Sequence, residues 1–316
     1  MNPLLTLIVP TWNRREHLQE LLALLLPELD RQPDIDILVS NNASPDDTAT
    51  YLDGLPAHPR LRVVHQAVNY GAIIHAAWLY GQARGRFLWM ICDDDLVAPD
   101  AVSFVCTMLR THPELGWIHL PHQYLSNTGN PVLSRMPPRE EWFAKGRQAF
   151  APYIPWVSFV TSNVLRTELL QRQLPRIQWG TDFWPMGLLM QAVGDEPASI
   201  PARYLITAGA EITWSDRRVL AMHCGFPEEL LKSHILSKRE KTACLRQWYR
   251  VMPNHLGRLL LLAPGLLGRI LLFEPRLLGV LLRPSDLTKV FRPSAWHKLG
   301  RRLTHGRKAA EKLFHD

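Results

Sequence analysis

The segment "RFLWMICDDDLVAPD", Arg86 to Asp100, places three consecutive aspartates directly behind an apolar run. Arg86 to Ile91 has the length and bulky apolar content of a buried strand. Asp93, Asp94 and Asp95 follow, and adjacent carboxylates repel one another unless something offsets their charge. A helix start explains one of them, because Asp is favoured in a first turn and Pro99 lies shortly downstream. It does not explain three. Clustered carboxylates at a strand end suit a hard divalent cation such as Mg²⁺ or Mn²⁺. Such an ion bridges a diphosphate and offsets charge as that group departs.

Working outward, the first 120 residues alternate strand and helix signals, which predicts a largely parallel sheet with helices on its faces. "LLTLIVP" (4–10) reads as a buried first strand. Asn13 then caps a helix whose apolar stripe is Leu18, Leu21, Leu22 and Leu25. "IDILVS" (35–40) is a second strand. "SPDDT" opens the next helix, with Ser44 as cap, Pro45 at its first position and Asp47 closing a capping box. "LRVVHQ" (61–66) is a third strand, followed by a helix that Gly85 terminates. Another helix runs from Pro99 to about Arg110, and "LGWIHL" (115–120) is a fifth strand. In such sheets ligands bind beyond the carboxyl ends of the strands. Thr11 and Asn13, Asn41 to Asp46, Asn69 and Asp93 to Asp95 therefore converge on one edge, which is a site by geometry alone.

Residues 121–156 read as a loop region with short strands, "VSFVTSNVLR" (157–166) as a strand leading into a short helix, and "TDFWPMGLLMQAV" (181–193) as a helix starting near Asp182. "ARYLITAGAEITWS" (202–215) reads as a hairpin or two short strands. His65, His75, His119 and His122 lack ligand spacing and read as structural. From Pro227 onward the pattern is helical and basic.

The chain has 316 residues and a net charge of +7, but the charge is uneven. Residues 1–231 hold 18 Lys/Arg against 24 Asp/Glu, and residues 232–316 hold 18 against 5. An acidic partner therefore belongs at the C-terminal quarter. There "HLGRLLLLAPGLLGRILLFEPRLLGVLLR" (255–283) alternates leucines with arginines and prolines. That pattern breaks a bilayer-spanning helix but suits short segments on an anionic membrane surface, or a helical subdomain packed on the core. No stretch of about 20 apolar residues predicts a transmembrane helix. Four cysteines without CxxC spacing fit a reduced, cytoplasmic protein. The tail lacks the aromatic interleaving or motif of a nucleic-acid binder.

Taken together, "LTLIVPTWNRREHLQELLALLL", "DILVSNNASPDDT" and "NYGAIIHAAWLYGQARGRFLWMICDDDLVAPD" resemble the nucleotide-sugar domain of family 2 glycosyltransferases. The resemblance covers roughly residues 4–120 and implies a GT-A fold, a Rossmann-like, mostly parallel sheet flanked by helices. It divides the chain into a glycosyltransferase domain at 1–225 and a basic helical region at 226–316. The first domain comprises a nucleotide-sugar half (1–120) and an acceptor half (121–225). By resemblance, Pro10, Thr11, Asn13, Asn41, Asn69, Asp93 and Asp94 bind a UDP-, GDP- or dTDP-sugar. Asp94, Asp95 and His223 hold Mn²⁺ or Mg²⁺. Asp93 and Asp94 touch ribose and metal, with Asp95 as the alternative ligand and the register inside the aspartate run left open. Asn41 and Asn42 stand where the family usually carries acids, and an amide offers a different donor and acceptor pattern to a base.

The implied reaction is inverting transfer to a polysaccharide or lipid-linked glycan at the cytoplasmic face of a membrane. Asp182 serves as the general base, with Glu211 and Asp216 as weaker candidates; Trp179 and Trp184 beside Asp182 offer faces for a sugar. Two other classes stay open. A nucleotidyltransferase wants a glycine-rich loop after the first strand, and "PTWNRREH" has no glycine. A non-catalytic nucleotide-sugar-binding protein draws its support from Asn41 and Asn42.

Overall fold

The computed structural model describes residues 2–125, 131–176, 184–209, 225–251 and 264–273. The chain forms two compact units, Met1–Cys244 and Leu245–Asp316. The first is built on β1 (Leu5–Thr11), β2 (Ile35–Asn41), β3 (Leu61–His65) and β4 (Phe87–Met90), all parallel in the order β3-β2-β1-β4. Both faces of β1 and β2 are buried, as expected of strands covered by helices on each side. Helices α1 (Arg15–Arg31), α2 (Thr48–Asp53) and α3 (Gly71–Gln82) make the crossovers. The stripe of Leu18, Leu21, Leu22 and Leu25 on α1 is buried against this sheet with Leu29. Gly85 lets the chain enter β4 beside β1: a Cβ there would stand 2.6 Å from the Thr6 amide nitrogen.

Beyond β4 the sheet becomes mixed. After β5 (Leu96–Val97) and α4 (Ala101–Thr111) come β6 (Trp117–His119), β7 (His122–Leu125), β8 (Pro131–Leu133) and β9 (Glu141–Phe143). Then follow α5 (Arg147–Val157), β10 (Asn163–Arg166), α6 (Thr167–Gln171), α7 (Trp184–Val193), β11 (Ala198–Ile200) and β12 (Ile206–Ala208). The main sheet continues β4-β10-β6-β11-β9, with β10 antiparallel to both β4 and β6. A second sheet, β5-β12-β7-β8, stands beside it. Phe226–Lys232, Lys238–Val251 and Pro264–Phe273 are helical, in keeping with the basic, helical reading of this region. No helix among the described residues is long and apolar enough to cross a membrane.

Four local expectations are corrected. Asn13 does not cap α1: it adopts a left-handed φ of 55°, which Asn tolerates, and the helix starts at Arg15 with Arg14 in the cap position. The box at Ser44 and Asp47 does not form. The Ser44 hydroxyl accepts the Asn13 N–H instead, and Asp46 accepts the Thr48 N–H where α2 begins. The region 121–156 carries a helix, α5, despite Pro152 and Pro155, and the strand expected at 157–166 is confined to β10 after a 3-10 turn at Val160–Ser162. The stretch expected as a hairpin or two short strands (202–215) holds one described short strand, β12, which pairs with β5 and β7, and its residues 210–215 lie outside the described residues.

Of the histidines read as structural, His75, His119 and His122 are buried in the fold, whereas His65 is exposed and bonded to Asn41 and Asp53. His75 is buried against the Ser40 hydroxyl at 2.8 Å, and His122 against the Ser162 hydroxyl at 2.8 Å. Burial lowers both from the ordinary value of 6.5 to about 4. Above about pH 6.5 neither state binds the proton and nothing is lost. Below it the unfolded chain takes up protons that the folded imidazoles exclude, so stability falls as pH drops toward 4. The gap is worth about 3 kcal/mol per histidine at its full extent. Protonation of the buried Asp95 below about pH 7 acts in the opposite direction, so the histidine contribution is read by difference: in urea unfolding at pH 7.5 and pH 5, His75→Gln is expected to lose less stability on acidification than the unsubstituted protein.

Candidate active site

The carboxyl ends of the four parallel strands are tied into one continuous polar edge. The Thr11 hydroxyl donates to Asp93 Oδ2 at 2.7 Å, joining the end of β1 to the loop after β4. The Asn42 N–H donates to the Thr11 carbonyl at 2.9 Å, joining β1 to β2. Asn41 accepts the Ser44 N–H on Oδ1 and lies 3.2 Å from His65 Nδ1 through Nδ2. The second ring nitrogen of His65 is 3.1 Å from Asp53. Asn42 donates to Asn69 Oδ1 at 2.9 Å and accepts the Tyr70 N–H at 3.1 Å, joining β2 to the loop after β3. Asn69 Oδ1 also accepts the Gly71 N–H where α3 begins. Beside Asn13, Ala43 also takes a left-handed φ, of 57°, and such turns in non-glycine residues persist where the surroundings hold them.

Asp93 and Asp95 are buried, and Asp94 is partly so. Each buried carboxylate has its own donors. Arg14 Nη1 reaches Asp93 Oδ1 at 3.2 Å and Asp94 Oδ2 at 2.6 Å. Asp95 accepts the Thr161 hydroxyl at 2.5 Å on one oxygen and the Gly209 N–H at 2.9 Å on the other. Thr161 serves twice, because its oxygen also accepts the Cys92 N–H at 3.1 Å. A Cβ on Gly209 would collide with the Asp94 carbonyl oxygen, so glycine is required for this approach.

Burial governs the protonation of the cluster. It raises Asp93 above the ordinary carboxylate value, with Thr11 and Arg14 opposing it. It pushes Asp95 up to about 7, although the Thr161 and Gly209 bonds favour the ionised form. Burial also lowers Arg14, but the charges of Asp94 and Asp93 outweigh it and the guanidinium is held above its usual range. The Cys92 thiol is raised well above its usual value by burial, then by Asp95 and Asp94. Cys92, Asp94 and Asp95 each offer a ligand atom within 4.8 Å of the others, a spacing one divalent ion spans. Carboxylate oxygens predominate among the acidic groups here, which suits Mg²⁺ or Mn²⁺.

The sequence-derived candidates thus fall into two groups. Pro10, Thr11, Asn13, Asn41, Asn69, Asp93, Asp94 and Asp95 all lie along this edge, with Asn13 and Asn69 exposed and Thr11 and Asn41 buried. Asp182, His223, Trp179, Glu211 and Asp216 lie outside the described residues, and Trp184 opens α7. Sequence reasoning passed over Arg14, Thr161, Gly209 and Cys92. Arg14 carried a signal, since a cation at a helix N-terminus has the wrong sign for the helix dipole. Gly209 carried a weak one as a glycine at a strand end. Thr161 carried none.

The model for glycosyl transferase family 2 matches residues 6–172. The abequosyltransferase RfbV of Salmonella typhimurium is 28% identical over 114 residues, 35% of this chain and 34% of that protein. The chain therefore matches about a third of that relative's length. The crystal structure of residues 1–349 of TarS from S. aureus superposes with a TM-score of 0.61 at 15% identity, covering 88% of this chain and 81% of that one. The same TarS fragment in complex with UDP-GlcNAc gives a TM-score of 0.60 at 14% identity, over 88% and 81% of the two chains. The fold is that of the GT-A glycosyltransferases.

Replacing Thr161 by Val removes the hydroxyl that serves both Asp95 and the Cys92 N–H. A buried carboxylate then loses a charged-group hydrogen bond, and the expected destabilisation is about 2–3 kcal/mol. Thr161→Ser is expected to retain most of the stability, and denaturant unfolding of the two variants checks both.

Proposed function

The chain belongs to glycosyltransferase family 2, and we propose that it transfers a sugar from a nucleotide sugar to a polysaccharide or lipid-linked glycan. The observation that carries this reading is the aspartate cluster at the end of β4, held where three other strand-end loops converge. Asn41, fixed between Ser44 and His65, keeps one amide hydrogen and one oxygen lone pair for a base edge. Pro10, Thr11, Asn13 and Asn69 line the same edge, and Asp93 is assigned to the ribose. The TarS fragment that shares this fold has been crystallised with UDP-GlcNAc, which supports a nucleotide-sugar donor.

Asp94 and Asp95 would hold Mn²⁺ or Mg²⁺, with the Cys92 sulfur alongside and His223 as a further candidate. When bound, such an ion supplies positive charge opposite the nucleoside diphosphate as it leaves. The chain's own contribution is to place donor and acceptor and to move one proton. The acceptor hydroxyl oxygen bonds to the anomeric carbon as the carbon–oxygen bond to the diphosphate breaks, with inversion. The hydroxyl proton passes to a carboxylate, which we assign to Asp182.

The region proposed as a membrane-facing tail begins at residue 226. In the helix Pro264–Phe273, Leu266, Leu267 and Ile270 are buried while Leu272 is 86% exposed. The exposed Leu272 and the positive charge of this quarter support contact with an anionic membrane surface, while the buried Leu266, Leu267 and Ile270 fit the alternative of a packed helical subdomain.

Asp94→Asn and Asp182→Asn are each expected to lower sugar transfer by about 10²-fold or more. Transfer would be measured with labelled UDP-, GDP- and dTDP-sugars in Mn²⁺. An Asp182→Asn enzyme of full activity removes that residue as the base. Binding of a nucleotide sugar by thermal shift without any turnover would instead favour a non-catalytic binding protein. Deleting residues 255–316 is expected to move the protein from the membrane to the soluble fraction. Fractionation of cells expressing both forms reads this directly.

A further inference from the structure

Arg14 occupies an electrostatic position that the helix behind it does not favour. It stands at the N-terminus of α1, a helix of 17 residues, and its carbonyl accepts the Leu18 N–H. The helix dipole places partial positive charge there, and a cation in the first turn is unfavourable. What offsets this is the aspartate run: one Nη1 atom lies within ion-pair distance of both Asp93 and Asp94, and the guanidinium side chain is only 20% exposed. Asp94 is therefore claimed twice. Its Oδ2 holds Arg14 at 2.6 Å, and it is also one of the three residues whose ligand atoms converge within 4.8 Å.

We infer that Arg14 is the resident counter-ion of the aspartate cluster, displaced from Asp94 by the divalent cation and then used to bind the diphosphate of the donor. The inference rests on the proposed nucleotide-sugar site and adds a residue to it. Three aspartates and one arginine leave a formal charge of −2 at full ionisation, which one divalent ion offsets. While Arg14 is paired with Asp94, a lone metal ion must compete with it. Once the ion holds Asp94, the guanidinium is released beside the place where phosphate oxygens arrive. Its planar fork can then match two of those oxygens, where one nitrogen alone had served the two aspartates. Metal alone is thereby held weakly, and metal with nucleotide is held well.

The test uses the full chain and two separate titrations. In the first, Mn²⁺ alone is titrated and its free concentration is read by electron paramagnetic resonance, for wild type, Arg14→Gln and Arg14→Lys. Arg14→Gln is expected to bind Mn²⁺ about tenfold more tightly than wild type, because its competitor is gone; Arg14→Lys, which keeps the charge without the fork, is expected to fall between. In the second, UDP and GDP are each titrated by calorimetry at saturating Mn²⁺. There Arg14→Gln is expected to bind about tenfold more weakly. The two opposite shifts are the signature, since general damage to the site would weaken both. Unchanged or weaker Mn²⁺ binding in an Arg14→Gln protein that retains its wild-type circular dichroism overturns the inference, as does unchanged nucleotide binding. If Arg14→Gln fails to fold, Arg14→Lys decides the matter by the same two directions. If Mn²⁺ tightens as expected but wild type binds neither UDP nor GDP, the counter-ion role stands for the metal, and the diphosphate role fails with the nucleotide-sugar reading.

Discussion

The structure depends on burying negative charge at the end of β4. Asp93 and Asp95 are 6% and 3% exposed, and a buried carboxylate without partners costs several kcal/mol. Their partners come from distant parts of the chain. Thr11 is 82 residues away, Thr161 is 66 and Gly209 is 114. The loop after β4 thus holds its shape only when β1, the turn before β10 and the end of β12 are all in place. Here the parallel half of the main sheet meets its mixed half, so the most demanding electrostatic feature sits at the junction of the two.

The same edge shows how negative charge is confined to one place. At positions 41 and 42 the chain uses amides, and each is committed on both of its polar atoms. A carboxylate at 41 could not donate to His65, and one at 42 could not donate to Asn69. Two more acids here would also add to the field of Asp93 to Asp95. The amides instead latch the loops after β1, β2 and β3 into one rim without adding charge. The two left-handed residues, Asn13 and Ala43, lie in adjacent loops bound to each other through the Asn13 N–H and Ser44. Local strain in one loop is in this way supported by the other.

Much of the architecture was legible because local and global preferences agree in the first half. The apolar runs at 4–10 and 35–40 are buried on both faces, and the leucine stripe of α1 faces the sheet as its 3.6-residue period requires. The second half was harder. Prolines at 152 and 155 argue against a helix in any local reading, yet α5 forms through both. The short strand β10 enters the sheet antiparallel between β4 and β6, out of chain order, and no local pattern encodes that insertion. Helix caps were misread for a similar reason. The Ser44 hydroxyl bonds to a loop 31 residues earlier in place of its own helix.

By itself the sequence determined that a parallel α/β sheet would carry Thr11, Asn41, Asn69 and the three aspartates to one edge. Strand period, strand order and the placement of polar residues after apolar runs suffice for that. Only the tertiary structure decided how the charge is answered. That Arg14 spans Asp93 and Asp94, that Thr161 and Gly209 hold Asp95, and that Cys92 joins Asp94 and Asp95 are facts of packing between elements far apart in the chain. Hydrogen bonds and ion pairs act over about 3 Å, and distance in sequence says nothing about which groups will meet within it.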